Sequence, residues 1–237
     1  ALLFLHGFTA SPAEVLPVAR IIHNISGHTV SGPLLPGHGS HPRFLNRLLW
    51  QDWFQAVEEE IAFLQSRYNK VFVAGLSMGG LLALHAASCC QGLSGVISIN
   101  APIFLYSSCS AYLSRFTAYF LPYSRKKNLE ELRELAGQGR FAYDVIPVKA
   151  YRQLLKLKAR VIRDLPGLTI PALVVQSVRD RTVWPGSGPF LAGSIKGARL
   201  LELPESGHIA TMGPEVELIA QEIASFMAKS DCASTGI

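Results

Sequence analysis

Charge is scarce in this chain. Only 16% of its 237 residues are Asp, Glu, Lys or Arg, and none of these falls between Val71 and Ser114. So long an uncharged stretch invites a membrane-spanning reading. Glycines at 75, 79, 80, 92 and 95 exclude it by cutting the stretch into pieces too short to span, which are instead the size of buried strands and helices. Cysteine is equally sparse. The four present, Cys89, Cys90, Cys109 and Cys232, show neither zinc-ligand nor Cys-x-x-Cys spacing, so no metal site and no disulfide framework is expected. Adjacent Cys89 and Cys90 read as small buried residues of a helix, and reduced thiols point to the cytoplasm. The chain opens on an apolar run without an initiator Met, so the lack of a visible signal peptide decides nothing.

Other absences narrow the class. There is no low-complexity tract and no internal repeat. A basic face interleaved with exposed aromatics is also missing, which argues against nucleic acid as a partner despite a net charge of +5. The basic residues gather at Arg125-Lys126-Lys127 and from Lys149 to Arg163, where a solvated helix face accounts for them. What remains is a 49% hydrophobic chain of a length that suits one domain with an insertion.

Apolar runs and breakers alternate along the chain. Residues 1–5 read as a buried strand entering the loop His6-Gly7-Phe8-Thr9. Ser11-Pro12-x-Glu14 has the cap and first-turn pattern of a helix reaching about Ile25. Thr29–Ser31 reads as a weak strand, Pro33–Gly39 as a turn-rich loop, and 49–68 as a helix. Strands follow at 71–74, 95–99, 171–176 and 199–203, with a closing helix at about 214–227. Alternating strands and helices imply an α/β fold with a mostly parallel, doubly wound sheet. Between 103 and 164 no strand is expected, whereas helical periodicity is present at 130–136 and 149–163. This segment reads as a small helical cap inserted into a core made of 1–102 and 165–237.

Gly75-Leu76-Ser77-Met78-Gly79 stands between the strand Val71–Ala74 and the helical run Leu81–Ala87. Gly-x-Ser-x-Gly in that context is a nucleophile elbow: a sharp strand-to-helix turn that exposes the serine hydroxyl above the sheet. A serine hydroxyl needs a base to take its proton and a carboxylate to orient that base. Asp180, in the loop after the strand near Gln176, and His208, just beyond Leu203, provide them in the order Ser, Asp, His. The other six histidines are weaker candidates. His6 and His38 sit in glycine-flanked loops near the same face, His23, His28 and His41 follow no strand, and His85 packs or caps on the helix after the elbow. Glu205 is too near His208 in sequence to fold back onto it, and Asp164 reads as closing the insertion. An oxyanion hole requires two N–H groups. Met78, at the helix start, and Phe8, after the first strand, are the candidates.

With Leu5-His6-Gly7-Phe8-Thr9, Leu35-Pro36-Gly37-His38-Gly39, the elbow, Arg179–Pro185 around Asp180 and Ser206-Gly207-His208, the chain resembles the α/β-hydrolase superfamily. More narrowly it is similar to the small bacterial carboxylesterases and monoacylglycerol lipases common in thermophiles. Trp50-Gln51-Asp52-Trp53 and Asn100-Ala101-Pro102 extend the likeness over nearly the whole chain. The resemblance implies cofactor-independent hydrolysis of carboxylic esters of short- to medium-chain acyl groups, monoacylglycerols among them, through an acyl-enzyme. It also implies that the insertion is the cap that forms the acyl and alcohol pockets. Two departures are visible: the first strands of the usual sheet do not precede residue 1, and the cap sequence matches weakly. Phe104, Tyr106, Tyr112 and Phe116, in an aromatic stretch of the cap, are the candidate substrate contacts. The same spacing also suits packing against the sheet.

The alternatives are a thioesterase, acyltransferase or peptidase on the same fold, or a non-catalytic ligand receptor. A peptidase holding an amine calls for acidic residues in the cap, and none occurs from Ile103 to Leu121. A receptor should have lost a triad member. Dehalogenase and epoxide hydrolase chemistry needs an Asp at the elbow, where this chain has Ser77.

Overall fold

The computed structural model describes residues 1–106, 122–126 and 129–232. Six parallel strands form the central sheet: β1 (Leu2–Leu5), β2 (Val30–Ser31), β3 (Val71–Leu76), β4 (Leu93–Ile99), β7 (Ala172–Ser177) and β8 (Arg199–Leu203), in the order β2-β1-β3-β4-β7-β8. β1, β3 and β7 are buried on both faces and are largely continuous apolar runs, as the centre of a parallel sheet demands. Alternate side chains feed two separate cores. Leu3, Leu5, Val73, Val96 and Val174 face one way, and Leu2, Phe4, Phe72, Ile97 and Val175 the other.

Helices cover both faces. On the first lie α3 (Trp50–Gln65), which contributes Trp53, Val57 and Ile61, and α4 (Met78–Cys89). On the second lie α1 (Leu16–Ser26), through Val18 and Ile22, and the C-terminal α8 (Val216–Cys232), through Ile219 and Ile223. α4 is apolar all round, and ten consecutive residues from Met78 to Ala87 are buried, the mark of a helix enclosed on every side.

Three expectations are corrected. Ser11 makes no capping bond; Pro12–Glu14 is a 3₁₀ turn and α1 begins only at Leu16. Two short strands do occur between 103 and 164, β5 (Tyr123–Arg125) and β6 (Val145–Pro147), paired antiparallel. Cys89 is exposed and Cys90 half-buried, both as free thiols. Burial pushes the Cys90 thiol up to about 12.

Residues 103–164 also hold α5 (Leu129–Gly137) and α6 (Val148–Asp164). α6 carries its charges on one face and buries Leu154, Leu157 and Val161 on the other, in the same core as α3 and α4. A short α2 (Pro42–Leu45) and α7 (Ser187–Ser194) complete the helices of the described residues.

Candidate active site

The loops that matter all leave the C-terminal ends of strands: Gly7-Phe8 after β1, Ser77 after β3, Asp180 after β7 and His208 after β8. From β1 the chain runs outward to β2, while β3 begins the opposite progression. The crevice between β1 and β3 is therefore the switch point, where open α/β sheets bind their ligands.

Ser77 sits at the elbow with φ 54° and ψ −115°, a conformation a non-glycine residue adopts only when its surroundings enforce it. Its N–H donates to Ile99 O at 2.8 Å. The flanking glycines are required by close approach. A Cβ on Gly75 would lie 2.1 Å from the backbone of Gly79, and one on Gly79 would lie 2.3 Å from Leu5 O.

His208 Nε2 stands 3.0 Å from Ser77 Oγ, and His208 Nδ1 stands 2.7 Å from Asp180 Oδ2. A carboxylate only accepts, so Nδ1 carries the proton and Nε2 presents a lone pair to the serine hydroxyl. Asp180 is 2% exposed. Its Oδ1 accepts from the N–H groups of Thr182 at 2.7 Å and Val183 at 2.8 Å, so the carboxylate is fixed from behind while its second oxygen faces the ring. Glu205 pairs instead with Arg179 at the surface.

Met78 opens α4, so its N–H is among those a helix leaves unpaired at its start. The Phe8 loop abuts the elbow: a Cβ on Gly7 would lie 3.5 Å from Ser77 Cβ. His6 ties that loop down. Its Nδ1–H donates to Gly7 O at 2.9 Å and its Nε2 accepts from the Leu35 N–H at 3.1 Å. Burial lowers its pKa to about 4 and that of its neighbour His38 to about 3, so both rings are neutral.

The family model described as "Alpha/beta hydrolase family" matches residues 2–221. The chain belongs to the alpha/beta hydrolase family. It is 30% identical over 231 residues to a thermostable monoacylglycerol lipase of Bacillus sp. (strain H-257), covering 96% of this chain and 90% of that protein. A carboxylesterase of Bacillus subtilis (strain 168) is 27% identical over 240 residues, covering 98% and 93%. Among solved structures, one from work on LipS and LipT, two metagenome-derived lipolytic enzymes, superposes with a TM-score of 0.85 at 29% identity, covering 96% of this chain and 93% of that one.

In this alpha/beta hydrolase the residues expected of the cap fall in different places. Phe104 packs against Trp184 and Phe190, with ring centroids 5.6 and 5.1 Å away. Tyr106 is 58% exposed, and its N–H donates to Thr182 O. Segment 104–106 is thereby stitched to the loop carrying Asp180, an arrangement reinforced by the Leu105–Val183 bridge. Tyr112 and Phe116 lie outside the described residues. His85 packs between Trp50 and Phe54 on the α3 side, away from the triad.

Two groups beside the site escaped the sequence. Asn100 is fully buried at the end of β4 with φ 47°. Its Nδ2 donates to Ser177 Oγ and His208 O, both at 2.9 Å, and its Oδ1 accepts the Ser177 N–H at 2.7 Å. One side chain thus ties β4 and β7 to the loop that carries His208. Glu14 is fully buried, accepts the Gly7 N–H and pairs with Arg140. In the sequence Glu14 is only the first-turn acid of the Ser11-Pro12-x-Glu14 pattern, and its partner stands 126 residues away. Among the described residues no group of three or more His, Cys, Asp or Glu is arranged to hold a metal ion, and no helix is long and apolar enough to cross a membrane.

Proposed function

We propose that the chain is a serine hydrolase of carboxylic esters carrying short- to medium-chain acyl groups, monoacylglycerols among them. The observation that carries this reading is the continuous hydrogen-bond chain Ser77–His208–Asp180 at the mouth of the switch-point crevice. The activities of the lipase and carboxylesterase relatives bring it to esters.

Ser77 Oγ attacks the ester carbonyl carbon while His208 Nε2 takes its proton, and Asp180 stabilises the imidazolium through Nδ1–H. The carbonyl oxygen, now negative, rests between the Phe8 and Met78 N–H groups. Collapse of this intermediate expels the alcohol, which leaves with the proton held on His208. Water, deprotonated by the same ring, then releases the acid from Ser77. Residues 103–164 form the cap that shapes the substrate pockets, and α6 is the strut that joins it to the core of 1–102 and 165–237. Phe104, Tyr106, Tyr112 and Phe116 are the cap residues assigned to substrate. The free thiols Cys89 and Cys90 accord with a cytoplasmic setting.

The test is a series of p-nitrophenyl esters of increasing acyl length, followed by a monoacylglycerol, with Ser77→Ala as control. Turnover that peaks at short to medium chains and vanishes in the variant is expected. Matching acyl-thioester or amide turnover, with esters inert, would replace this reading by the thioesterase or peptidase alternative.

A further inference from the structure

Among the bonds that hold the loop bearing Phe8, two come from charged groups, Glu14 and Lys126, and the cations of the cluster, Lys126 and Arg140, come from residues 103–164. Glu14 Oε1 accepts the Gly7 N–H, while Glu14 Oε2 accepts from Arg140 Nε at 3.1 Å and Nη2 at 3.0 Å. Both partners are buried, Glu14 completely and Arg140 to 8% exposure. Lys126 Nζ donates to Thr9 Oγ1 at 2.7 Å, and Thr9 Oγ1 donates to Phe8 O at 2.5 Å. The Tyr143 N–H donates to Thr9 O at 2.8 Å. Thr9 is held at φ 65°, in the left-handed region that a β-branched residue rarely enters. Apart from the Arg140–Glu14 pair itself, every bond in this set ends on residues 7–9.

We propose that Glu14, Arg140 and Lys126 act as a charge-compensated clamp that aims the Phe8 N–H at the oxyanion, making them positioning residues for the Ser77 reaction. The inference rests on the reading of Phe8 as an oxyanion donor. Gly7 and Phe8 belong to successive peptide units whose Cα atoms are only about 3.8 Å apart. Fixing the Gly7 N–H therefore restricts the direction of the next one. A carboxylate that close to a site for developing negative charge opposes the charge it helps to receive, and low local polarity magnifies the effect. Arg140 and Lys126 cancel it. The insertion thus does more than cover the site: it supplies the countercharge that lets a buried carboxylate serve next to an oxyanion hole.

The other groups around Glu14 do not take over that role. His38 feels the Glu14 charge, but burial keeps both it and His6 neutral. Thr211 Oγ1 donates only to the Glu14 carbonyl, at 2.5 Å. Burial and then Arg140 pull the Lys126 pKa down to about 8, against the opposite pull of Glu14 and Asp144. Lys126 therefore helps below about pH 8, and Arg140 compensates throughout.

The experiment measures kcat and KM on p-nitrophenyl butyrate between about pH 6 and 10. It compares the wild type, Arg140→Gln and the double variant Glu14→Gln/Arg140→Gln, with Ser77→Ala as blank. In Arg140→Gln the buried carboxylate is left unpaired. Its kcat is expected to fall about 10- to 100-fold, part of the loss of a whole oxyanion donor, with KM little changed. The loss should deepen as pH rises, well beyond the mild decline that loss of the Lys126 charge near pH 8 gives the wild type, because only the ionised carboxylate repels the oxyanion. Removing the charge in the double variant should abolish that deepening and restore most of kcat. An Arg140→Gln profile parallel to the wild type, or a double variant as impaired as the single with the same pH slope, would overturn the clamp. Should Arg140→Gln not accumulate folded, Lys126→Met should lower kcat below about pH 8, where the wild-type lysine is charged, and match the wild type above it, a difference that Glu14→Gln should remove. A wild type inert towards esters would overturn the hydrolase reading together with the clamp. An active wild type with an unaltered variant overturns the clamp alone.

Discussion

Replacing Asp180 by Asn exchanges one oxygen for an NH₂ without altering shape, and the surroundings dictate which way the amide turns. Oδ1 accepts two backbone N–H groups, from Thr182 at 2.7 Å and Val183 at 2.8 Å. Turning the NH₂ towards them would leave both donors without their acceptor, at about 1–3 kcal/mol for the buried Val183 N–H and less for that of Thr182. The amide oxygen therefore keeps that side and the NH₂ faces His208 Nδ1. A donor there is tolerated only if Nδ1 accepts, so the ring shifts its proton to Nε2. Nε2–H then points at Ser77 Oγ and has no lone pair to take the serine proton. Loss of the correct tautomer lowers kcat by about 10⁴ in a Ser-His-Asp enzyme, on the order of 5 kcal/mol in the barrier. Folding stability should fall by only about 1–3 kcal/mol, since both backbone bonds survive. Steady-state hydrolysis of p-nitrophenyl butyrate, with denaturant titration of the same preparation, separates the two effects. A folded Asp180→Asn enzyme with kcat within about tenfold of wild type would refute the reasoning.

Three further outcomes follow from the packing and the buried histidines. Gly75→Ala places a Cβ 2.1 Å from the Gly79 backbone, which cannot yield as a side chain would. A loss above about 4 kcal/mol or insoluble protein is expected, and a wild-type melting temperature would contradict it. Leu157→Ala removes a fully buried side chain where α6 meets the core, so it should cost about 2–5 kcal/mol. A loss well below 1 kcal/mol in chemical denaturation would mean that α6 is only a detachable part of the cap. His6 and His38 have folded pKa values of about 4 and 3 against 6.5 unfolded. The unfolded chain thus binds more protons in that window, and stability falls as pH drops below about 6.5. The pair should remove on the order of 5 kcal/mol between pH 7 and 4.5, and an unchanged pH slope in His38→Gln would count against this origin.

How much of the molecule can be read from the sequence depends on where each residue finds its partners. β1, β3, β4 and β7 are evident because each is apolar on both faces and bounded by breakers. Ser77 and Asp180 are evident because each follows such a strand, and His208 because it follows the shorter run Arg199–Leu203, so strand ends point to the candidate site without any knowledge of packing. Segments whose reasons lie elsewhere in the chain are hidden. Tyr123-Ser124-Arg125 is exposed and polar, and becomes a strand only by pairing with Val145–Pro147. Ser187–Ser194 is helical although Ser, Gly and Pro fill much of it; Leu191 buries itself in the core, and packing overrides propensity. Glu14 has the look of a first-turn acid, yet its carboxylate turns to the Gly7 N–H and Arg140. Asn100 stands in a segment that carries the family likeness, but nothing local discloses its role, which consists of bonds to two other strand ends. Local pattern thus discloses the groups proposed to react, while the groups that hold them in place depend on long-range contacts.

The central claim is that Ser77 carries the acyl group. Intact-mass spectrometry after incubation with a fluorophosphonate, alongside ester turnover, tests it in one preparation. The wild type should gain a single phosphonyl adduct, mapped to Ser77, and lose all activity in step with labelling, while Ser77→Ala should neither label nor turn over. Ester hydrolysis persisting in folded Ser77→Ala, or an adduct on another residue tracking the loss of activity, would contradict the account.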